Sequence, residues 1–64
     1  MKEKMIAYLQ AMLTEYLEEK SQFGSEDRVV KHKFYEMIGA KEMAESLIGE
    51  PVNLGLNGKV TVGF

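Results

Sequence analysis

Residues 51–64, PVNLGLNGKVTVGF, decide the fold class of this 64-residue chain. After Pro51, apolar side chains alternate with other residues, which is the period of a β-strand rather than of a helix. Asn57 and Gly58 form the strongest local turn signal in the sequence and predict a β-hairpin. Because an isolated hairpin is only marginally stable in water, this one is expected to pack on the residues that precede it.

The side chains that share a face of the hairpin determine the length of its loop. A two-residue loop would place Leu54 and Val60 on opposite faces. A three-residue loop over residues 56–58, with Gly58 in the left-handed conformation of a bulge, pairs Leu54 with Val60 instead. The second loop predicts an apolar face made of Val52, Leu54, Val60, Val62 and Phe64, with Asn53, Lys59, Thr61 and Gly63 on the other face.

Residues 2–22 predict a long amphipathic helix in front of the hairpin. Its main apolar side chains recur every three or four residues and cover an arc of about 140° around the helix axis. They are Met5, Ile6, Leu9, Met12, Leu13, Tyr16 and Leu17. This arc is wider than the seam of a two-stranded coiled coil, so it favours a globular or bundle-like core. Gly24 is placed to end the helix in a left-handed cap.

A second helix is predicted to begin after an N-cap at Ser25 and to change direction at Gly39. Before Gly39, one face carries Val30, Phe34, Met37 and Ile38; after it, the apolar residues are Ala40, Met43, Ala44, Leu47 and Ile48. In one straight helix the second group would be rotated by about 100° from the first. We therefore expect a break or kink at Gly39 and a short third helix over residues 40–48, ended by Gly49.

These elements predict an α+β fold in one small domain, residues 1–64. It consists of a long amphipathic N-terminal helix, a second helix broken near Gly39, and a C-terminal antiparallel β-hairpin packed on the helices. The chain has no cysteine and is near the lower size limit for a core that is stable without disulfides, a metal or a partner, so self-association is expected. It has neither a leader pattern nor an apolar run of membrane-spanning length, so we expect a cytoplasmic protein without a membrane partner.

No pattern in the sequence points to catalysis, a cofactor or a metal site. His32 is the only histidine, and it belongs to no His-x-x-x-His or Glu-x-x-His pair. No serine lies three or four residues from it, where a neighbouring turn of the helix would place a nucleophile. The chain is expected not to be an enzyme and to bind neither cofactor nor metal.

A basic cluster in the second helix is the most suggestive group of polar residues. Its members are Arg28, Lys31, His32, Lys33 and Tyr35. Such cations can meet phosphates and an aromatic ring can stack on a base. With a break at Gly39 and a terminal hairpin, the order of elements matches a helix-turn-helix with a wing. Glu42 and Glu45 in the would-be recognition helix, and the net charge of −2, oppose this interpretation.

The sequence therefore predicts a non-catalytic interaction or regulatory module that acts through protein–protein contacts. A homodimer formed through the first helix or the hairpin edge, or a complex with another protein, is expected, because the chain has more apolar surface than it can easily bury. The candidate self-association residues are Met5, Leu9, Met12 and Tyr16. The alternative is a small nucleic-acid-binding protein that uses the basic cluster.

Overall fold

The computed structural model describes residues 2–63, and its elements are two helices followed by a two-stranded antiparallel sheet. Helix α1 spans Lys2–Phe23 and helix α2 spans Arg28–Ile48. Strand β1 spans Val52–Leu54 and strand β2 spans Val60–Val62. The hairpin packs on both helices, β1 along α2 and β2 along α1, so the predicted α+β class is confirmed.

A tight turn connects the two helices. Gly24 ends α1 with φ of 85°, and its N–H donates to a carbonyl in the last turn of the helix at 2.8 Å, as predicted. The N-cap of α2 is Asp27, not Ser25: one Asp27 carboxylate oxygen accepts from the N–H groups of Val29 at 2.9 Å and Val30 at 3.3 Å. Serine and aspartate are both strong N-caps, and Ser25 lies within the turn.

Helix α2 continues through Gly39, so the predicted break and the predicted third helix are wrong. Its buried residues are Val30, Met37 and Ala44, which are seven residues apart and therefore lie on one stripe. Met43 and Leu47 stay 67% and 63% exposed. One continuous helix is possible because it buries one apolar stripe and leaves these two side chains outside. Gly49 ends it in the left-handed conformation, as predicted.

The core lies where the two antiparallel helices meet the hairpin. Six side chains are at most 3% exposed: Leu9 and Leu13 from α1, Val30, Met37 and Ala44 from α2, and Val52 from β1. The other residues of the predicted α1 stripe are half-buried around them. A core of this size gives only a small free energy of unfolding, so contacts at its edges contribute a large share of the stability.

The hairpin has the predicted register. Leu54 pairs with Val60 and Val52 pairs with Val62. Gly58 in the loop has φ of 84°, the left-handed conformation that the three-residue loop requires. The four paired side chains are buried or half-buried against the helices, whereas Asn53, Lys59 and Thr61 are exposed. Phe64, which was assigned to the apolar face, lies outside the described residues.

Candidate interaction surfaces

Two polar side chains from the helices hold the outer edges of the hairpin. On α1, the Gln10 side-chain oxygen accepts from the Val60 N–H at 3.0 Å, and its amide nitrogen donates to the Gly58 carbonyl. On α2, a Glu45 carboxylate oxygen accepts from the Val52 N–H at 2.8 Å. Each side chain bonds to backbone groups that a neighbouring strand would otherwise pair with, so part of the hydrogen-bonding groups at the sheet edges have partners within the chain.

The Glu45 carboxylate is also an electrostatic link between α2 and the hairpin. The hydrogen bond from the Val52 N–H, and the nearby Lys41 ammonium at 3.2 Å, hold the pKa of Glu45 below its ordinary value. The carboxylate is therefore charged at neutral pH, and both of its partners favour that form.

One part of the β1 edge remains open. The Gly55 N–H donates to the Lys59 carbonyl and the Gly63 N–H donates to the Pro51 carbonyl, each at 2.9 Å. Bonded and non-bonded pairs alternate along an antiparallel ladder, so the N–H and C=O of Leu54 point away from β2. Within residues 2–63, no side chain caps these two groups.

The open edge borders a groove, which we call the front groove. It has a cavity volume of about 650 Å³ and is lined by residues of α1, of α2 and of the segment 51–56 that contains β1. Its main apolar lining residues are Tyr16, Leu17, Phe34, Ile38, Leu54 and Leu56, and its charged ones are Lys20, Lys41 and Glu45. The Lys20 ammonium lies 5.9 Å from the centre of the Tyr16 ring. Lys20 forms no ion pair with any described residue.

A second apolar surface, the back patch, lies on the opposite side of the helix pair. It consists of Met5, Tyr8, Ala40, Met43 and Leu47, the first four of which line a shallow cavity of about 270 Å³. Tyr8 and Met43 are each two residues, or about 200°, from the side chains that hold the hairpin, so they face away from it. Their exposed fractions are 63% and 67%. Leu47 follows Met43 by one helical turn and is 63% exposed.

The four predicted self-association residues do not form one surface. Leu9 is 1% exposed and belongs to the core, so its assignment to a self-association surface is wrong for the folded chain. Met5 lines the back patch and Tyr16 lines the front groove, while Met12 lies in a third depression beside Tyr8.

The sequence did not identify the most exposed residues of the back patch, because its apolar pattern was interpreted only as the buried face of each helix. Tyr8 lies outside the apolar arc of α1, and Met43 and Leu47 were assigned to the buried side of a third helix. Their four-residue spacing, taken on a straight helix, is the signal that could have identified them.

The structure separates Lys33 from the rest of the basic cluster. Its ammonium pairs across the helix interface with Glu15 and with Glu19, the latter at 3.1 Å. The hydrogen bonds that the ammonium donates to Glu15, and then to Glu19, raise the pKa of Lys33. Lys33 therefore joins α1 to α2 and does not share the outer side of α2 with the other members of the basic cluster.

The other members of the basic cluster are exposed, and two of them have acidic neighbours. Lys31 pairs with Glu26 at 3.2 Å, and the His32 Nε2 lies 2.6 Å from a Glu36 carboxylate oxygen. Arg28 and Tyr35 also lie on this outer side of α2. The nearby carboxylates reduce the local positive charge. The continuous α2 removes the predicted helix-turn-helix. Both observations that favoured nucleic-acid binding are therefore weaker than the sequence indicated.

No other feature of the described residues points to a specific chemistry. Within residues 2–63, no group of three or more histidine, cysteine, aspartate or glutamate side chains is placed to hold a metal ion. Neither of the two helices is apolar enough over a sufficient length to cross a bilayer. No protein-family model matches the sequence, and no curated protein or solved structure is significantly similar to it. The two apolar surfaces therefore provide the argument about function.

Proposed function

We propose that this chain is a non-catalytic protein-interaction module that self-associates through the back patch. The observation that carries the proposal is the exposure of Tyr8, Met43 and Leu47, each 63% or more, on adjoining turns of two helices. Single exposed apolar side chains are ordinary on soluble proteins, whereas a contiguous group is typical of an interaction surface.

The chemistry of the back patch favours a second copy of the chain as its partner. Lys4 is the one charged residue among the described residues that line its cavity. A partner therefore needs a matching apolar surface more than a complementary charge. In a two-fold dimer the same patch supplies that surface on both sides, and two helix pairs packed face to face resemble the layout of a four-helix bundle.

The size of the molecule is consistent with such a dimer. A stable interface buries about 800 Å² on each partner, which is roughly one sixth of the 4689 Å² of exposed surface. The molecule measures 34 Å by 19 Å along its longer axes, which gives one face about 650 Å² of flat area before side-chain relief is added. A two-fold dimer would thus use most of the back side. Lys33 on that side is already neutralised by Glu15, which reduces the cost of covering it.

The expected dimer is weak. Full burial of a large apolar side chain contributes about 1.5–3 kcal/mol. Tyr8, Met43 and Leu47 are each about two-thirds exposed and so have about two-thirds of this contribution left to gain. Six such side chains in a dimer give roughly 6–12 kcal/mol. Association costs about 4–15 kcal/mol in lost translational and rotational freedom. Since the two ranges overlap, the fraction of dimer should depend on protein concentration.

Sedimentation equilibrium over a wide range of concentrations, at low and high salt, tests the proposal. The mass of the wild type should rise toward that of a dimer in both salts, because apolar association is not weakened by screening. The double variant Tyr8→Ser/Met43→Ser should remain a monomer. A matched control, Tyr35→Ser/Leu56→Ser, removes side chains that are 70% and 92% exposed outside the patch and should dimerise like the wild type. A wild type that is monomeric at every concentration, or a dimer unaffected by the first double variant, would contradict the proposal.

A further inference from the structure

The edge of β1 offers backbone hydrogen-bonding groups to the front groove. On that edge the Val52 N–H is bonded to Glu45, whereas the N–H and C=O of Leu54 have no partner within residues 2–63. An open strand edge pairs readily with an extended chain, and such pairing is a common way in which proteins bind peptide segments.

The floor of the groove beside this edge is apolar and aromatic. The Tyr16 and Phe34 rings lie 5.6 Å apart between their centres, and Phe34 is 39% exposed. Ile38 lines the groove one helical turn further along α2. Because alternate side chains of an extended chain point to the same face, a strand added to β1 can direct one of them onto this floor while its neighbours face solvent.

The charges that line the groove sum to a net positive value. The Glu45 carboxylate is engaged by the Val52 N–H and by Lys41. Lys20, at the α1 end, forms no ion pair with a described residue. A complementary partner therefore carries an acidic group near Lys20.

A second copy of the chain fits this edge poorly. Two-fold pairing of β1 with itself about Leu54 would align Val52 of one copy with Leu56 of the other, and would use the Val52 N–H. Glu45 holds that N–H at 2.8 Å, so this two-fold pairing would break an existing bond, whereas a peptide that pairs only with Leu54 leaves it intact.

We propose that the front groove binds an extended segment of a different protein, which adds as a strand to the edge of β1. The segment places an apolar side chain on the floor formed by Tyr16, Phe34 and Ile38, and an acidic side chain against Lys20. This site is separate from the back patch, so it does not depend on the proposed self-association.

A displayed library of random dodecapeptides, selected on the wild-type chain of residues 1–64, is the probe. Selected peptides should share an apolar residue and an aspartate or glutamate at a fixed spacing. Nuclear magnetic resonance of the complex should show slower hydrogen exchange at the Leu54 amide and shifted signals for Ile38 and Lys20. The peptide should give the contacts of an extended strand rather than of a helix.

A charge swap tests the role of Lys20. Lys20→Glu should weaken the selected acidic peptide about tenfold, and a peptide with lysine in place of its acid should recover the loss. Lys59→Glu makes the same change in net charge at an exposed lysine outside the groove and should leave affinity unchanged. Circular dichroism checks that each variant is folded. If Lys20→Glu does not fold, Lys20→Gln replaces it and should show a smaller loss of affinity for the acidic peptide.

Four outcomes of the peptide experiments would overturn the proposal, and a fifth, described last, concerns the chain without peptide. The first four are a library without enrichment, selected peptides that bind as helices, an unchanged Leu54 exchange rate in the complex, and equal affinity of the acidic peptide for wild type and Lys20→Glu. Protection of Leu54 that depends on protein concentration without peptide would assign the edge to a second copy instead, and would overturn it as well.

Discussion

Gln10 is the residue at which the attachment of the hairpin to the helices can be tested most directly. Its side chain accepts from the Val60 N–H and donates to the Gly58 carbonyl, so it bonds β2 and the hairpin loop at once. Gln10→Met keeps an unbranched side chain of similar length and helix propensity, but it can neither donate nor strongly accept. The substitution therefore removes the two hydrogen bonds with little change in packing.

The expected loss is a large part of the total stability. Each hydrogen bond contributes about 1 kcal/mol net, so Gln10→Met should lower the free energy of unfolding by about 2 kcal/mol. A chain of 64 residues has a free energy of unfolding of roughly 3–10 kcal/mol. At about 4–8 °C per kcal/mol for a domain of this size, the melting temperature should fall by about 8–16 °C.

Urea denaturation followed by circular dichroism measures this loss, and hydrogen exchange at the Val60 amide locates it. The variant should show a lower midpoint with the same denaturant slope, and faster exchange at Val60. Gln22→Ala, at an exposed glutamine near the end of the same helix, is the matched control and should change stability by less than about 0.5 kcal/mol. If Gln10→Met matched this control, or if the Val60 exchange rate stayed the same, the two bonds would not hold the hairpin.

Two further predictions concern α2. Because the pKa of Glu45 is lower in the folded state, its contribution to stability is present above the unfolded-state pKa and is lost as the pH falls through the folded-state pKa. Glu45→Gln should therefore lose less stability than the wild type between neutral pH and about pH 3. Urea denaturation at a series of pH values measures this, and the same loss in both proteins would contradict the prediction. At Gly39, an added Cβ meets no atom within 4 Å, so Gly39→Ala should stabilise the continuous helix by about 0.5–1 kcal/mol; a melting temperature that stays the same or falls would indicate a bend there.

The register of the hairpin could be predicted because the alternation of side chains along a strand allows only one of the two loop lengths. A strand alternates its side chains between two faces, so the apolar residues on both sides of Asn57-Gly58 can share a face with only one of the two loop lengths considered. Leu54 opposite Val60 follows from this requirement alone, and the structure has that register. The α1 stripe was predictable for the same kind of reason, since its helical period is uninterrupted over several turns.

The bonds that attach the hairpin could not be predicted from local patterns. Gln10 lies among apolar residues of α1 and has no feature that distinguishes it from a solvated glutamine. Its partners lie 48 and 50 positions further along the chain, so its role depends on the tertiary arrangement. The same holds for Lys33, which pairs with α1 rather than with the basic residues beside it in sequence.

The error at Gly39 and the proposed function have a common origin. The sequence carries two apolar groups in α2 that a straight helix cannot turn to one side, and a break at Gly39 is one way to bury both. The continuous helix does not bury both: it buries Met37 and Ala44 and presents Met43 and Leu47 outward. A helix that is apolar on two sides needs two partners. Helix α1 and the hairpin cover the first side, and in the proposed dimer a second copy covers the other.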